Sequence, residues 1–270
     1  MSERVNPRGQ VKNDSEEHMN SINKNAAAVV SVSLVLLLFA FLSRPRSAST
    51  IAATNSFPTA KTGLPLDSIL EDNFENYTAW AEGSTHGDWF VNFNGLGMVG
   101  LVSDPTSATP NTVLFQKPKA SMKADETHAS LVTSGAVMTD FNVSVKVKTV
   151  QQLRTPTPNA WETAWVIWRF TDNDHFYYFT LKTNGWELGK RDPAYPGGQR
   201  FLQTGALPKV ILGTFATVNV QQVGATMTVS VNGAKVTSFT DSERPYPSGK
   251  IGLYNEDALV YFDDISSTYK

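Results

Sequence analysis

From Leu64 to the C-terminus, apolar and polar residues alternate with a period of two, and turn residues break the alternation at short intervals. This pattern predicts antiparallel strands that each bury one face. The clearest run is Phe141–Val150. There Phe141, Val143, Val145, Val147 and Thr149 fall on one side, and Asn142, Ser144, Lys146 and Lys148 on the other. Further strands are predicted at Trp89–Phe93, Thr112–Gln116, Ala129–Leu131, Trp165–Phe170 and Phe176–Lys182, then at Trp186–Lys190, Phe215–Val223, Met227–Val231, Ala234–Phe239, Lys250–Asn255 and Leu259–Ile265. Asn94-Gly95, Asn184-Gly185, Gly224-Ala225 and Asn232-Gly233 lie at the joints, where tight hairpins need residues that tolerate positive φ. No amphipathic helical period occurs over 64–270. The predicted fold is all-β, two antiparallel sheets stacked as a sandwich.

The N-terminal part reads differently. Residues 26–43, AAAVVSVSLVLLLFAFLS, contain no charge and no proline. Eighteen such residues are near the lower limit for a helix that crosses a bilayer, and a buried core helix of a soluble domain would show a polar face. The segment is expected to be a hydrophobic helix, either a retained transmembrane anchor or the core of a signal peptide. The mixed-charge tail 1–25 disfavours a standard signal peptide, whereas a start at Met19 would restore a short n-region. Both readings stay open. Residues 44–63, rich in Ser, Thr, Ala and Pro, form a flexible spacer, and 64–270 form the β-sandwich. The expected location is the cell membrane, single-pass with the C-terminal domain outside, or the secreted fraction.

Charge narrows the partners. The whole chain carries a formal net charge of −2, and 17 Lys/Arg against 21 Asp/Glu remain after residue 47. No basic field is present to attract nucleic acid. The chain has no cysteine, which excludes disulfides, thiolate metal sites and cysteine nucleophiles. Its four histidines, at 18, 86, 128 and 175, show no metal-ligand spacing.

Four segments carry a family resemblance: Ile69–Tyr77 (ILEDNFENY), Trp165–Lys182 (WVIWRFTDNDHFYYFTLK), Val229–Phe239 (VSVNGAKVTSF) and Gly249–Ile265 (GKIGLYNEDALVYFDDI). In this order they resemble concanavalin-like, laminin-G-like jelly rolls, closest to the 3-keto-disaccharide hydrolase-like branch. The resemblance implies a jelly roll with a convex and a concave sheet, the latter often holding glycans. It also implies a structural calcium site where the opening and closing strands meet, at Glu71 or Asp72 with Asp263. Calcium takes six to eight oxygens, several of them from carboxylates.

For chemistry, the hairpin Trp165–Lys182 is the most informative stretch. Strand alternation places Trp165 with Arg169, and Tyr178 with Lys182, on one face, and Glu187 on the next strand can join them. A sugar ring stacks its C–H face on an aromatic side chain while charged groups bind its hydroxyls. Trp161, in a proline-flanked loop before the hairpin, can form a rim. The set Trp161, Trp165, Arg169, Tyr178, Lys182 and Glu187 is therefore the candidate carbohydrate site, although packing explains Trp165 and Tyr178 equally well.

Catalysis has less support. Hydrolases of this fold carry a Glu-x-Asp-x-x-Glu strand, which is absent here, and no nucleophile elbow occurs. Alginate-lyase-like relatives share KIGLYN but not their remaining motifs. The leading expectation is a glycan-binding, lectin-like domain. The alternatives are a polysaccharide- or glycoside-modifying enzyme and an adhesion or structural module. Asn13, Asn76 and Asn142 lie in Asn-x-Ser/Thr sequons.

Overall fold

A computed structural model describes residues 68–75 and 80–270. The tail 1–25, the predicted helix 26–43 and the spacer 44–63 lie outside the described residues. Among those described, no helix is long and apolar enough to cross a membrane.

The described chain folds into strands β1 (Ser68–Asp72), β2 (Thr85–His86), β3 (Trp89–Phe93), β4 (Met98–Ser103), β5 (Thr112–Lys117), β6 (Ala129–Ser134), β7 (Phe141–Gln152), β8 (Ala164–Asp172), β9 (His175–Lys182), β10 (Gly185–Arg191), β11 (Gln199–Gly205), β12 (Ala216–Val223), β13 (Thr226–Val231), β14 (Ala234–Thr240), β15 (Lys250–Glu256) and β16 (Ala258–Tyr269). The first sheet runs β14-β13-β12-β7-β16-β5-β4, with β1 also paired to β16. The second runs β11-β10-β9-β8-β15-β6-β3-β2. Neighbours in both sheets are antiparallel, as in the pairing of β7 with β16 and of β8 with β9.

The alternation in the sequence builds the layer between the sheets. Val143, Val145 and Val147 of β7 meet Val166 and Trp168 of β8 and Phe179 and Leu181 of β9 in one apolar cluster. Each buried Val, Leu or Phe contributes about 1.5–3 kcal/mol relative to exposure. The predicted strands are present with small changes at their ends. Two full-length strands had no clear pattern. These are β4, whose Met98 is exposed, and β11, an edge strand with only intermediate and exposed positions.

One predicted face needs correction. Lys148 falls with the polar side of β7 but is buried, 2% exposed. Its ammonium donates to Asp104 Oδ2 at 2.7 Å and Thr106 Oγ1 at 2.8 Å, and it lies 4.5 Å from the Phe215 ring centroid. The loop after β4 thus covers part of the outer face and supplies a counter-charge that the β7 pattern cannot reveal. Burial pushes the Asp104 carboxyl up, but the bonds from Lys148 and Thr106 outweigh this and hold it below its ordinary range.

Candidate functional site on the second sheet

The second sheet has an apolar cluster on each side. Val166, Trp168, Tyr177 and Phe179 point into the sandwich. Their alternating neighbours Trp165, Ile167, Phe176 and Tyr178 pack on the other side with Leu131 and, partly buried, Phe93, Trp161 and Tyr254. Register explains the grouping. Tyr254 on β15 faces Trp165 on β8, and Ile167 faces Tyr178 on β9. The Trp165 and Tyr178 rings stack at 4.7 Å, and Tyr254 meets Trp165 edge-on at 5.4 Å.

At one flank, the Tyr178 hydroxyl donates to Glu187 Oε1 at 2.7 Å and Lys182 Nζ donates to Glu187 Oε2 at 2.8 Å. Gln199 Nε2 donates to the Tyr178 hydroxyl oxygen. Burial and the Glu187 carboxylate push the Tyr178 hydroxyl well above its ordinary pKa, so it remains a donor. The predicted trio Tyr178, Lys182 and Glu187 is therefore assembled. Trp165 joins it as floor and is itself buried, 6% exposed.

Arg169 does not join them. Its φ of 49° places it in the left-handed region, and the β8–β9 register breaks between Trp168 and Asp172. This bulge ends the alternation. Phe170 takes the place on the Trp165 side, and the Arg169 guanidinium instead donates to the carbonyls of Tyr246 and Thr139 and to Asp140.

Trp161 reaches the face through a braced loop. Its carbonyl accepts a bond from Trp165 Nε1 at 2.8 Å. Buried Arg154 donates to Glu162 and, at 2.9 Å, to Asp257 Oδ2. The loop before β8 is thereby tied to the β15–β16 turn. The same tie brings Trp161 against a residue that sequence reasoning missed. Glu256 follows Tyr254 on the outward side of β15 and is half-buried. It accepts the Tyr254 hydroxyl at 2.7 Å and a side-chain bond from Trp161. Burial, reinforced by the Asp257 and Glu162 charges, raises its pKa from the ordinary 4.5 to about 7. Perturbed carboxyls of this kind collect at functional sites. The available signal was position: Lys250, Gly252, Tyr254 and Glu256 share one strand face.

Elsewhere, two of the three residues expected at calcium, Asp72 and Asp263, accept hydrogen bonds from protein donors. Asp72 accepts Phe74 N–H at 2.8 Å and Trp89 Nε1 at 2.9 Å. Asp263 accepts Asn111 Nδ2 at 3.0 Å and Asp264 N–H at 2.8 Å. Glu71 is exposed on β1 opposite Ser266. Among the described residues, no three acidic or histidine side chains gather as a metal site. A Ser–His–Asp grouping also occurs: Ser121 Oγ lies 3.1 Å from His128 Nδ1, and Ser121 N–H donates to Asp257 at 2.9 Å. Ser121 and Asp257 are fully buried, so the hydroxyl has no path to a substrate.

Residues 71–267 match the family model described as the 3-keto-alpha-glucoside-1,2-lyase-like domain. No curated protein sequence matches the chain. Solved structures similar to it include the carbohydrate binding module CBM66 from Bacillus subtilis, at 12% identity and TM-score 0.49, covering 67% of this chain and 95% of that one. A Bacteroides ovatus mixed linkage glucan GH16 protein, in complex with a G4G4G3G product, aligns at 9% identity and TM-score 0.49, covering 73% and 99%. The Bacillus licheniformis beta-glucanase aligns at 13% identity and TM-score 0.48, covering 78% and 100%.

Proposed function

The chain belongs to the 3-keto-alpha-glucoside-1,2-lyase-like domain family, and from that premise we propose that it binds carbohydrate on the outer face of its second sheet, outside the cytoplasm. The observation that carries this reading is an aromatic floor edged by charge. Trp165, Tyr178 and Tyr254 lie in edge and stacked contact, with the Lys182–Glu187 pair at one flank and Glu256 at the other. Half-buried Tyr254 and Trp161 offer ring surface to a sugar, and Lys182, Glu187 and Glu256 offer hydrogen bonds to its hydroxyls. The uncharged segment 26–43 supports export or anchoring.

The test is binding of soluble oligosaccharides by the full chain. Tyr254→Ala and Glu187→Gln are expected to weaken binding at least about tenfold, the loss of roughly 1.4 kcal/mol. Unchanged affinity in both folded variants overturns this site.

Glu256 favours a second reading, eliminative cleavage of a 3-keto-glycoside. The keto group acidifies the C2 proton. A base removes it, the C2 electron pair forms the C1–C2 double bond, and the C1–O bond breaks with protonation of the departing oxygen. A carboxyl with a pKa near 7 is suited to give that proton at neutral pH. Product formation by the wild type that stops in Glu256→Gln, with substrate still bound, would assign the enzyme reading. Binding without product would assign the lectin reading.

A further inference from the structure

The first sheet has a feature of a different kind on its outer face. Four neighbouring strands each present two neutral polar side chains there. The register aligns Ser230, Asn219, Ser144 and Ser266 in one rank across β13, β12, β7 and β16. It aligns Thr228, Gln221, Asn142 and Thr268 in a second. Strands lie about 4.8 Å apart, and residues two positions along a strand about 7 Å apart. The ranks therefore form a grid of amides and hydroxyls. The short side chains at its centre leave a hollow of about 400 Å³ lined by these residues.

The chemistry of the hollow is narrow. Among its eight side chains only Thr228 has a side-chain hydrogen bond within the described residues, to Ser238 at 2.9 Å. The other seven keep donors and acceptors for water or a ligand. No charge or aromatic ring lines the hollow. Charges stand only around its edge: Lys235 is paired in register with Ser230 and Glu71 with Ser266 at the two ends of the first rank, while Lys146 and Asp264 pair with each other. An anionic or cationic ligand finds no counter-charge inside the hollow, and a lipid or apolar helix meets amides and hydroxyls along both ranks. A neutral, hydroxyl-rich chain finds a partner for every hydroxyl.

We infer that this hollow is a second carbohydrate site, taking a neutral oligosaccharide laid across the strands of the first sheet. It is independent of the aromatic face, which lies on the opposite sheet. Without a stacking platform its affinity rests on hydrogen bonds alone, each modest once exchange with water is counted.

The experiment titrates the full chain with neutral β-1,3- and β-1,4-linked glucose hexamers, and with a uronate oligomer as the charged control. Ser144→Arg and Asn219→Arg fill the hollow from the centre of the first rank. Both are expected to reduce affinity for a neutral hexamer at least about tenfold. Should an arginine variant fail to fold, Asn142→Ala with Gln221→Ala removes two amides without adding bulk and is expected to weaken binding several-fold. The inference is overturned by any of four results: no neutral hexamer binds the wild type, the uronate binds the hollow equally well, the filled variants bind normally, or the variants abolish only self-association in sedimentation. Loss of binding in Tyr254→Ala alone bears on the aromatic face and leaves the hollow standing.

Discussion

Gly189 lies beneath Tyr178: a Cβ at position 189 would come within 2.2 Å of the Tyr178 hydroxyl oxygen and 2.3 Å of its ring carbon Cζ. The two residues are direct cross-strand partners on β10 and β9. The missing side chain lets the Tyr178 ring lie over the β10 backbone, where its hydroxyl reaches Glu187 and Gln199.

Gly189→Ala is therefore expected to push the Tyr178 ring off β10 and break its bond to Glu187. Overpacking of this kind costs about 1–3 kcal/mol. Urea denaturation should show the loss, and Tyr178→Phe in the Gly189→Ala background should add little, since the Glu187 bond is already gone. A fully additive double variant would show that Gly189 does not position the ring.

The Lys190–Asp241 pair holds the segment before β15 against β10. Both residues are 0% exposed. The ammonium donates to Asp241 Oδ2 at 2.7 Å and to the carbonyls of Glu243 and Arg244. Removing one member of a buried pair costs about 3–5 kcal/mol when the other charge is left uncompensated; Asp241 keeps the Tyr177 hydroxyl at 2.6 Å and Arg200 at 3.8 Å, which places the loss at the low end of that range. Lys190→Met should show a loss of this size in chemical denaturation. Lys190→Met with Asp241→Leu should recover part of it.

Glu256 predicts a pH dependence with a definite sign. Its pKa is raised in the folded state to about 7 from an ordinary 4.5. Below 4.5 the carboxyl is protonated whether the chain is folded or not, so it carries no penalty. Between 4.5 and 7 the unfolded chain releases the proton first, and stability falls as pH rises. Above 7 the penalty is constant. Glu256→Gln cannot ionise and should gain on the wild type across that window, as read by thermal midpoints from pH 4 to 8. Parallel profiles would contradict the raised value.

Calcium held by Glu71 or Asp72 with Asp263 would have to displace the neutral donors whose bonds Asp72 and Asp263 now accept, so an unchanged thermal midpoint on adding the ion would show that those bonds are kept. A midpoint that rises by several degrees with calcium and returns with chelator would show that these carboxylates rearrange around the ion.

How much could be read in advance depends on the residue. Trp165, Tyr178, Lys182 and Glu187 were legible as one face because a hairpin of fixed register converts sequence spacing into side-chain direction. Arg169 was not, because a single left-handed residue inverts every position after it until the register resumes. Glu256 and Trp161 were not linked, because their meeting depends on Arg154 bonding to Glu162 and Asp257, residues far apart along the chain.

The period-two alternation after Leu64 by itself determined the class of fold, most of the strands and the inward set of Val143, Val145, Val166, Trp168 and Phe179. Burying one face of each strand is a local demand that composition meets directly. Only the tertiary structure decided the order of strands in the two sheets, the covering of Lys148 by Asp104, and which distant strands complete the outer face of each sheet. Those faces join neighbours far apart along the chain, such as Trp165 with Tyr254 through the β15–β8 pairing, and Ser144 with Ser266 through β7–β16. Hydrogen-bond pairing between distant strands fixes them, and no local pattern encodes which strand lies beside which.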